Sequence, residues 1–567
     1  MTKTNYRILN DCRGMLEDEI VQTIFEQRGI EDVDHFMNPT EEDLLPLDSL
    51  YRINEAYERV MNAINNNEHI SILADTDLDG ITSGTIMTRY LKHFIDNIQV
   101  HIDEGKQHGL IGQDLLQFKD SDLLIIVDSL DKDVSQYKKL RDMGVDIIIL
   151  DHHAIKKNEP YDDYTILVSS QRKYENPQLS GAGVVWKFCK YFDEINTTDF
   201  ADELVDLATS GIIGDMMSMT SPENRYIAKI GLSQKINPCI KKIVGSFDFN
   251  STAVAFSLAP IVNAANRIGK NNIALDAFLA DDNKQVLAYV KELKKCKELQ
   301  NEEVSRLLPS VIKQCEAQTD KKMIVTFIDT PYGISGLLGN KLLEKYQKPI
   351  LILKDYGDTY SGSMRAVGVP DFRKICNDSG LAKCDGHELA AGISIKKEDL
   401  DKFTLYIEET LPELDTNVSV DVDIQLDISD ITRNLIEKIK MIDRISGTDF
   451  KPIKVFIDGI NEYEIGQMSD YKHLVVKPND YLQIIKWNFD GSFDDMEDHS
   501  MMNDELQVVG VLDSGWLGRK FSLKVICDEI EEVNWYRNYI TNENNLSEIK
   551  ENTLLELVGN EEMQYAI

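Results

Sequence analysis

The sequence predicts an α/β protein, because short apolar runs of strand length alternate with stretches of helical periodicity. Residues 50–66 place apolar side chains three and four positions apart, as in an amphipathic helix, and the apolar run 70–74 follows directly. Two further strand-like runs, 123–127 and 145–150, each end at an aspartate. Strands that alternate with helices imply a largely parallel sheet covered on both faces.

Length and composition limit the possible classes of protein. A chain of 567 residues exceeds what one hydrophobic core serves and predicts three or more domains. The net charge of −36 argues against non-specific duplex binding through a broad basic face. No apolar stretch approaches the length of a membrane span, the first residues do not resemble a secretory signal, and the eight cysteines form no C-x-x-C pair. We therefore expect a cytoplasmic protein with no membrane association.

Acidic residues and histidines follow the apolar runs. The segment Asp75-Thr-Asp77-Leu-Asp79-Gly80 follows the first run, Asp128 the second and Asp151-His152-His153 the third. A fourth apolar run, 204–213, leads into Gly214-Asp215 and is interpreted in the same way. Ligands of open α/β sheets bind beyond the carboxyl ends of the strands. The candidate metal ligands are therefore Asp75, Asp77, Asp79, Asp128, Asp151, His152, His153 and Asp215.

This set of side chains predicts metal-assisted phosphoester hydrolysis. Carboxylates with one or two imidazoles suit Mn²⁺ or Mg²⁺, whereas a zinc site would lean on cysteine or more histidine. Two such ions about 3.5 to 4 Å apart hold the attacking and leaving oxygens of a phosphoryl displacement. One aspartate after a strand is more often a helix N-cap. Its repetition after consecutive apolar runs favours a metal site.

The four acidic segments match, in order and spacing, the motifs of the DHH phosphoesterases, and the chain resembles the RecJ branch of that superfamily. Segments 179–184, 214–215, 223–225 and 259–267 follow the same order as in that branch. The resemblance implies two divalent ions, Mn²⁺ or Mg²⁺. It makes Asp77, Asp79, Asp128, His152 and Asp215 direct ligands, with Asp128 as the bridge and Asp128, His152 and His153 as the catalytic residues. Asp75 and Asp151 either ligate or orient ligands, and His153 either ligates or contacts the scissile phosphate.

Residues 281–320 have the periodicity of one long helix, which the resemblance interprets as the connection between two catalytic lobes; an ordinary core helix fits the pattern equally well. Residues 321–412 then resemble a DHHA1 substrate-binding domain. The resemblance implies that substrate contacts come from this domain and from two segments of the first lobe. These contacts are Arg267, Ser363, Arg365, Gly386, His387 and His108.

Residues 413–535 are rich in alternating, aromatic-bearing segments and predict a small OB-like β barrel. Such barrels bind single strands by aromatic stacking along a basic track. The candidate single-strand contacts are Lys472, Lys486, Trp487 and Trp516. Burial of either tryptophan as a core residue is the alternative. The remaining boundaries are an N-terminal extension at 1–50, the DHH catalytic domain at 51–280 and an acidic helical tail at 536–567.

Several positions depart from the RecJ pattern. Asp103 stands where that pattern has arginine and His108 where it has tyrosine. Val262 replaces an arginine, Asn266 a glycine, and Asp385 the first glycine of a Gly-Gly-His motif. The lost arginines reduce the positive charge near the expected 5′ phosphate, although Arg267 remains.

The leading hypothesis is a 5′-to-3′ exonuclease that hydrolyses single-stranded DNA to mononucleotides in recombination or repair. The alternatives are a DHH phosphodiesterase of short oligonucleotides or cyclic dinucleotides, a non-catalytic single-strand-binding replication scaffold, and a pyrophosphatase. The C-terminal region disfavours a small substrate, and the intact ligand set disfavours a scaffold. A single-strand-binding protein or helicase is the protein partner that this hypothesis implies, and the chain is expected to be a monomer.

Overall fold

The computed structural model describes residues 5–103, 109–234, 236–245, 248–412, 419–468, 473–487, 489, 496, 505–517 and 520–533. Contacts within the chain divide it into two compact units. The first unit is built on residues 34–412 together with 444–451. The second combines residues 6–33 and 419–443 with the described residues between 452 and 533. The predicted domain boundaries stay predictions.

The elements up to residue 280 are mainly helical. The strands are β1 (Asn5–Ile8), β2 (Ile70–Ala74), β3 (Ile98–Ile102), β4 (Leu123–Val127), β5 (Asp146–Asp151) and β6 (Ile166–Ser169). The helices are α1 (Glu17–Gln27), α2 (Val33–Met37), α3 (Ile53–Asn66), α4 (Leu78–Leu91), α5 (Ser135–Asp142), α6 (Gly181–Asn196), α7 (Val205–Gly214), α8 (Pro222–Gly231), α9 (Pro238–Val244), α10 (Ser251–Ala253), α11 (Ala259–Arg267) and α12 (Asn272–Leu279). A π-helix, Val254–Leu258, joins α10 to α11.

Strands β2 to β6 form a five-stranded sheet in the order β3-β2-β4-β5-β6, and all neighbours are parallel. The predicted parallel sheet is confirmed. In its register, Ala74 pairs with Val127 and Val127 with Leu150. The residue after each of these three lies at the same edge of the sheet. Asp75, Asp128 and Asp151 are therefore neighbours, because their strands end level with one another.

The interpretation of 204–213 by analogy with the strands was wrong. A short 3₁₀ turn, Phe200–Leu204, leads into the α-helix α7, and Asp215 follows the C-terminus of that helix. The side chains from Val205 to Ile213 are all buried. A helix buried on every face is apolar all round and shows no helical periodicity, so its sequence resembles a buried strand.

Beyond residue 280 lies α13 (Asn283–Glu316), a single helix of 34 residues that matches the predicted connector. It is followed by strands and helices of a second α/β lobe. These are β7 (Ile324–Phe327), α14 (Ser335–Tyr346), β8 (Ile350–Asp355), β9 (Thr359–Arg365), α15 (Phe372–Asp378), β10 (Ala382–Gly386), β11 (Ala390–Lys396) and α16 (Leu400–Thr410). The sheet order is β10-β11-β9-β8-β7, with only β7 and β8 parallel.

The second unit contains a mixed sheet of seven strands. The elements after residue 418 are β12 (Ser419–Val422), β13 (Ile424–Leu426), α17 (Arg433–Asp443), β14 (Lys454–Ile460), β15 (Glu464–Met468), β16 (His473–Lys477), β17 (Leu482–Lys486), β18 (Glu505–Leu517) and β19 (Lys520–Val533). The sheet runs in the order β13-β14-β18-β19-β17-β16-β15, while β12 pairs with β1. Strand β15 and helix α17 escaped the sequence interpretation. The acidic tail at 536–567 lies outside the described residues.

The predicted α/β fold class is confirmed by these sheets.

Across the described residues, no helix is both long enough and apolar enough to cross a membrane. All eight cysteines are buried free thiols, in agreement with their scattered positions in the sequence.

Candidate metal centre

The centre is built at the carboxyl edge of the parallel sheet. Asp75 follows β2, Asp128 follows β4 and Asp151 ends β5, and all three are buried. Asp128 has a left-handed backbone with φ of +56°. That conformation is costly for a residue with a side chain, although aspartate tolerates it better than most. Strain of this kind concentrates at functional sites, where the surroundings enforce it.

Asp77 caps helix α4 and also belongs to the acidic cluster. Its Oδ1 accepts a hydrogen bond from the Gly80 amide at 3.1 Å. Gly80 is required at this turn, because a Cβ atom there would lie 2.5 Å from the backbone of Asp75. The capping interpretation of Asp77 and the metal-site interpretation are thus compatible, since capping uses only one of its two carboxylate oxygens.

Asp79 is held by the start of helix α6. Its carboxylate accepts hydrogen bonds from Ser180 Oγ at 2.9 Å, the Gly181 amide at 2.8 Å and the Ala182 amide at 3.0 Å. The positive end of the helix dipole favours a carboxylate at this position. Ser180 was noted in the sequence only as part of a motif. The signal for its role was its place as an N-cap, directly before a glycine-rich helix start.

His152 stands among three carboxylates. Its Nε2 lies 3.2 Å from Asp128 Oδ1, 3.4 Å from Asp215 Oδ2 and 3.7 Å from Asp79 Oδ2. One ring nitrogen of a neutral imidazole carries at most one proton, so it cannot donate to all three. A cation among these oxygens would satisfy them together.

Asp151 orients His153. Its Oδ1 lies 2.9 Å from His153 Nδ1, and its Oδ2 accepts the His153 amide at 2.8 Å. Burial works against ionisation of both groups, yet their mutual attraction lowers the pKa of Asp151 and raises the pKa of His153 to about 10. Both oxygens of Asp151 are engaged in this contact, which favours an orienting role over direct ligation.

The carboxylates of the cluster have raised pKa values, which favour binding of a cation. Burial, followed by the charges of Asp75 and Asp79, raises the pKa of Asp77 to about 7. Burial, followed by Asp79 and Asp77, raises the pKa of Asp215 to about 8 and that of Asp128 well above its usual range. A divalent cation would replace the protons that these carboxylates otherwise retain near neutral pH.

Three groups of side chains have the geometry to hold a metal ion, with ligand atoms within 4.8 Å of one another. They are Asp128 with His152 and His153, Asp79 with His152 and Asp215, and Asp75 with Asp77 and Asp128. Asp128 and His152 each belong to two groups. Oδ1 of Asp128 is buried and accepts no hydrogen bond from the described residues. The residues present therefore fit a divalent metal centre, and Asp151 is the one predicted ligand that none of these groups includes.

The predicted substrate contacts of the second lobe lie on β9, at the end of β10 and in the turn that follows it. Ser363 shares a hydrogen bond of 2.8 Å with Ser335, and Arg365 Nε donates to Asn340 at 2.6 Å. Gly386 has φ of +131°, and His387 follows it as an exposed residue. In the first lobe, Arg267 ends α11 and donates to Gln300 of α13 at 3.3 Å.

The arginines of this set influence one another. Burial lowers the pKa of Arg267, and the charge of Arg365 lowers it further, while Asp77 opposes the shift. Arg267 therefore lies within electrostatic range of both the second lobe and the acidic cluster. That position suits a contact to a phosphate held at the cluster.

The candidate single-strand contacts of the second unit are only partly described. Trp487 is 45% exposed, and its ring meets that of His473 edge to face at 4.7 Å. Lys486 ends β17 and is half-buried. Lys472 lies outside the described residues, as does His108 of the first unit, and only the backbone of Trp516 is described, on β18.

The departures from the RecJ pattern have structural counterparts. Asp103 is buried, and its carboxylate accepts hydrogen bonds from Ser129 Oγ at 2.5 Å and the Gly109 amide at 3.3 Å. Val262 is fully buried, where a charged side chain would need a partner. Asp385 pairs with Lys132 of the first lobe.

Asn266 makes a contact that its glycine counterpart could not make. Its amide donates to Thr76 Oγ1, between Asp75 and Asp77. This bond ties α11 to the first acidic segment. Asn266 is thus a supporting residue of the centre that the sequence showed only as a departure from the pattern.

Comparison with known proteins agrees with this geometry. Residues 69–212 match the N-terminal domain of the DHH family. The SPbeta prophage-derived single-strand DNA-specific exonuclease YorK of Bacillus subtilis is 28% identical over 462 residues, which cover 74% of this chain and 78% of that protein. Over about three quarters of its length the chain is therefore similar to RecJ-type single-strand-specific exonucleases. The RecJ of Bacillus subtilis is 26% identical over 462 residues, covering 76% of this chain and 58% of that protein.

The fold of this chain also has solved counterparts. The crystal structure of RecJ from Thermus thermophilus in complex with Mn²⁺ superposes with a TM-score of 0.73 at 20% identity, covering 94% of this chain and 80% of that one. The Mg²⁺ complex of the same protein gives a TM-score of 0.69, with 94% and 79% covered. At this level of identity the likeness concerns the fold, and it extends over both units.

Proposed function

We propose that this protein is a RecJ-like, metal-dependent exonuclease that degrades single-stranded DNA from its 5′ end to mononucleotides, in recombination or repair. The observation that carries the proposal is the position of Asp128, which two candidate ligand groups share. A carboxylate shared by two groups is the arrangement that a pair of divalent ions needs for phosphoester displacement. The relatives are named as single-strand DNA-specific exonucleases, and we take the class of substrate from these names.

The roles of the individual residues follow from their contacts. We assign Asp77, Asp79, Asp128, His152 and Asp215 as ligands of two Mn²⁺ or Mg²⁺ ions, with Asp75 beside them. Such ions, when bound, polarise the phosphoryl oxygens and activate a water molecule. Asp151 holds the ring of His153, so that His153 presents its other nitrogen, Nε2, toward the scissile phosphate.

Further contacts to the DNA strand are assigned to residues of both lobes and of the second unit. Arg267, Arg365 and Ser363 supply donors for the phosphate backbone, and the turn at Gly386-His387 allows a close approach of backbone to the strand. Trp487 and Lys486 offer a stacking surface and a charge on a sheet that we interpret as an OB-like module. We expect the chain to act as a monomer alongside a single-strand-binding protein or helicase.

The test uses a single-stranded oligonucleotide with a 5′ phosphate and a label at its 3′ end. With Mn²⁺, the purified protein should shorten the strand from the 5′ end, so the labelled fragment shrinks stepwise. Release of labelled mononucleotide at the earliest times would contradict the polarity. RNA, cyclic dinucleotide and pyrophosphate in the same assay test the alternative substrates directly.

Two variants make the assay specific for the proposed centre. Asp128→Ala should reduce the rate at least a thousandfold, because it removes the shared ligand. Asp120→Asn changes an exposed aspartate that belongs to none of the candidate ligand groups, so it should leave the rate unchanged. Unchanged activity in the Asp128 variant would overturn the proposed site.

A further inference from the structure

Met216 has an unusual backbone conformation directly beside the metal centre. It follows Asp215 and has φ of +58°. Its amide donates to Ile213 at 3.2 Å, and the amide of Met217 donates to Ile212 at 3.0 Å. These bonds end helix α7 in the way that normally places glycine at the left-handed position. Any other side chain costs roughly 1 kcal/mol or more there.

The fold does not recover this cost by burying Met216. The side chain is 72% exposed, so it contributes little to the core. The described residues contain nine non-glycine residues with positive φ, and Met216 is the one apolar residue among them. The other eight are Arg52, Asn67, Asp128, Asn158, Lys173, Thr197, Gln347 and Asp449. A strained, exposed, apolar residue suggests a function for its side chain.

The position of Met216 limits what that function can be. Asp215 Oδ2 lies 3.4 Å from His152 Nε2, within the candidate metal centre. Neighbouring Cα atoms are about 3.8 Å apart, so the Met216 side chain begins one residue from a candidate ligand. A nucleotide held by its phosphate at the centre would extend its sugar and base away from the ligands over a distance comparable with the length of one methionine side chain. The surrounding ligands are charged, whereas Met216 offers an apolar contact.

We propose that Met216 contacts the nucleobase of the nucleotide that is being removed. This inference rests on the proposed exonuclease function and adds a base-contacting residue to it. Methionine is unbranched and polarizable, so it can pack against the face of any of the four bases. Such a contact positions the terminal nucleotide without reading its sequence, as base-stacking residues do in single-strand-binding proteins.

The test combines a change in the protein with a change in the substrate. One strand carries a normal 5′-terminal nucleotide with a 5′ phosphate, and its partner carries an abasic tetrahydrofuran residue at that position. The kcat/KM value with Mn²⁺ is measured for both strands, and their ratio gives the preference for a base. Met216→Gly should reduce this ratio about fivefold to tenfold, because one apolar contact is lost. Met216→Leu should keep the ratio within about twofold of the wild-type value.

Thr197→Gly is the matched control. Thr197 is an exposed left-handed residue at the C-terminal end of α6, with φ of +55°. Its replacement relieves the same kind of strain away from the centre and should leave the ratio unchanged. Met216→Gly should melt at a temperature no lower than the wild type, since glycine suits the left-handed position.

The possible outcomes separate this inference from the proposed function. If the wild type cleaves both strands and Met216→Gly leaves the ratio unchanged, or lowers both rates equally, Met216 does not contact the base. A lower melting temperature of Met216→Gly would likewise overturn the inference, because it would show a structural role. If the wild type cleaves neither strand, the proposed function fails, and this inference fails with it.

Discussion

Replacing Asp128 by asparagine should stabilise the metal-free protein and reduce its stabilisation by Mn²⁺. Asparagine keeps the volume of the side chain and removes a charge that is 98% buried, since only 2% of Asp128 is exposed. The ligand atoms of Asp75, Asp77 and Asp128 lie within 4.8 Å of one another. Without a cation, the carboxylates repel each other, and burial increases the cost of ionising them.

The magnitude follows from this geometry. Two unit charges at that distance repel by about 3.5 kcal/mol at an effective dielectric constant of about 20. Protonation relieves part of this repulsion, because burial and the neighbouring carboxylates raise the pKa of Asp128 in the native state. We therefore expect Asp128→Asn to raise the free energy of unfolding of the first unit by roughly 2 to 3 kcal/mol at pH 8.

The sign of the pH dependence is fixed by the raised native pKa. Below the ordinary value of 3.8, Asp128 is protonated in both the native and the unfolded state, so the variant gains nothing there. As the pH rises, the unfolded chain releases the proton first, and the wild type loses stability relative to the variant. The advantage of Asp128→Asn should therefore be larger at pH 8 than at pH 5.

Thermal unfolding followed by circular dichroism checks this prediction. In EDTA at pH 8, the Tm of Asp128→Asn should exceed that of the wild type by about 5 °C, at roughly 2 °C per kcal/mol. Saturating Mn²⁺ should raise the Tm of the wild type by more than it raises the Tm of Asp128→Asn. Asp206→Asn is the control: this buried aspartate lies outside the ligand groups, so its replacement should keep the response to Mn²⁺. An Asp128→Asn protein that is less stable than the wild type in EDTA, or that Mn²⁺ stabilises as much as it stabilises the wild type, would refute the reasoning.

Three further predictions follow from contacts around the centre. Gly181→Ala should lower the free energy of unfolding by about 2 kcal/mol and the nuclease activity at least tenfold, because the added Cβ would overlap the Asp128 carboxylate. Gly466→Ala is the control: its added Cβ meets no atom closer than 3.8 Å, so melting temperature and nuclease activity should stay unchanged. Asn266→Ala should cost about 1 kcal/mol and reduce kcat, because Thr76 Oγ1 loses the amide donor that ties α11 to the first acidic segment. A kcat equal to that of the wild type would contradict this. Burial raises the pKa of Asp206 to about 6. Asp206→Asn should therefore raise the free energy of unfolding by up to roughly 2 kcal/mol at pH 8 and leave it unchanged near pH 4. Urea unfolding at both pH values measures this difference.

The edge of the parallel sheet was predictable from the sequence because two simple signals coincide there. Apolar runs of five or six residues mark β2, β4 and β5, and each is followed or ended by an aspartate. Parallel strands that end in register bring those aspartates together, so Asp75, Asp128 and Asp151 could be grouped without coordinates. Periodicity likewise marked α13 and most strands of the second unit.

Other features depend on tertiary contacts that no local pattern shows. Helix α7 is apolar on all sides because it is enclosed, so its sequence did not distinguish it from a strand. The hydrogen bonds from the start of α6 to Asp79 join residues about 100 positions apart in the sequence. The left-handed conformations of Asp128 and Met216 were not predictable, since aspartate adopts positive φ only in a minority of cases and methionine does so rarely.

The number of Mn²⁺ ions bound per chain tests the central claim most directly. Equilibrium dialysis or isothermal titration of the wild type should give two ions per chain, because Asp128 is shared by two ligand groups. In Asp128→Asn, the count should fall below two, with weaker binding of any ion that remains. A single ion in the wild type, or two ions bound with unchanged affinity in the variant, would contradict a centre built on Asp128.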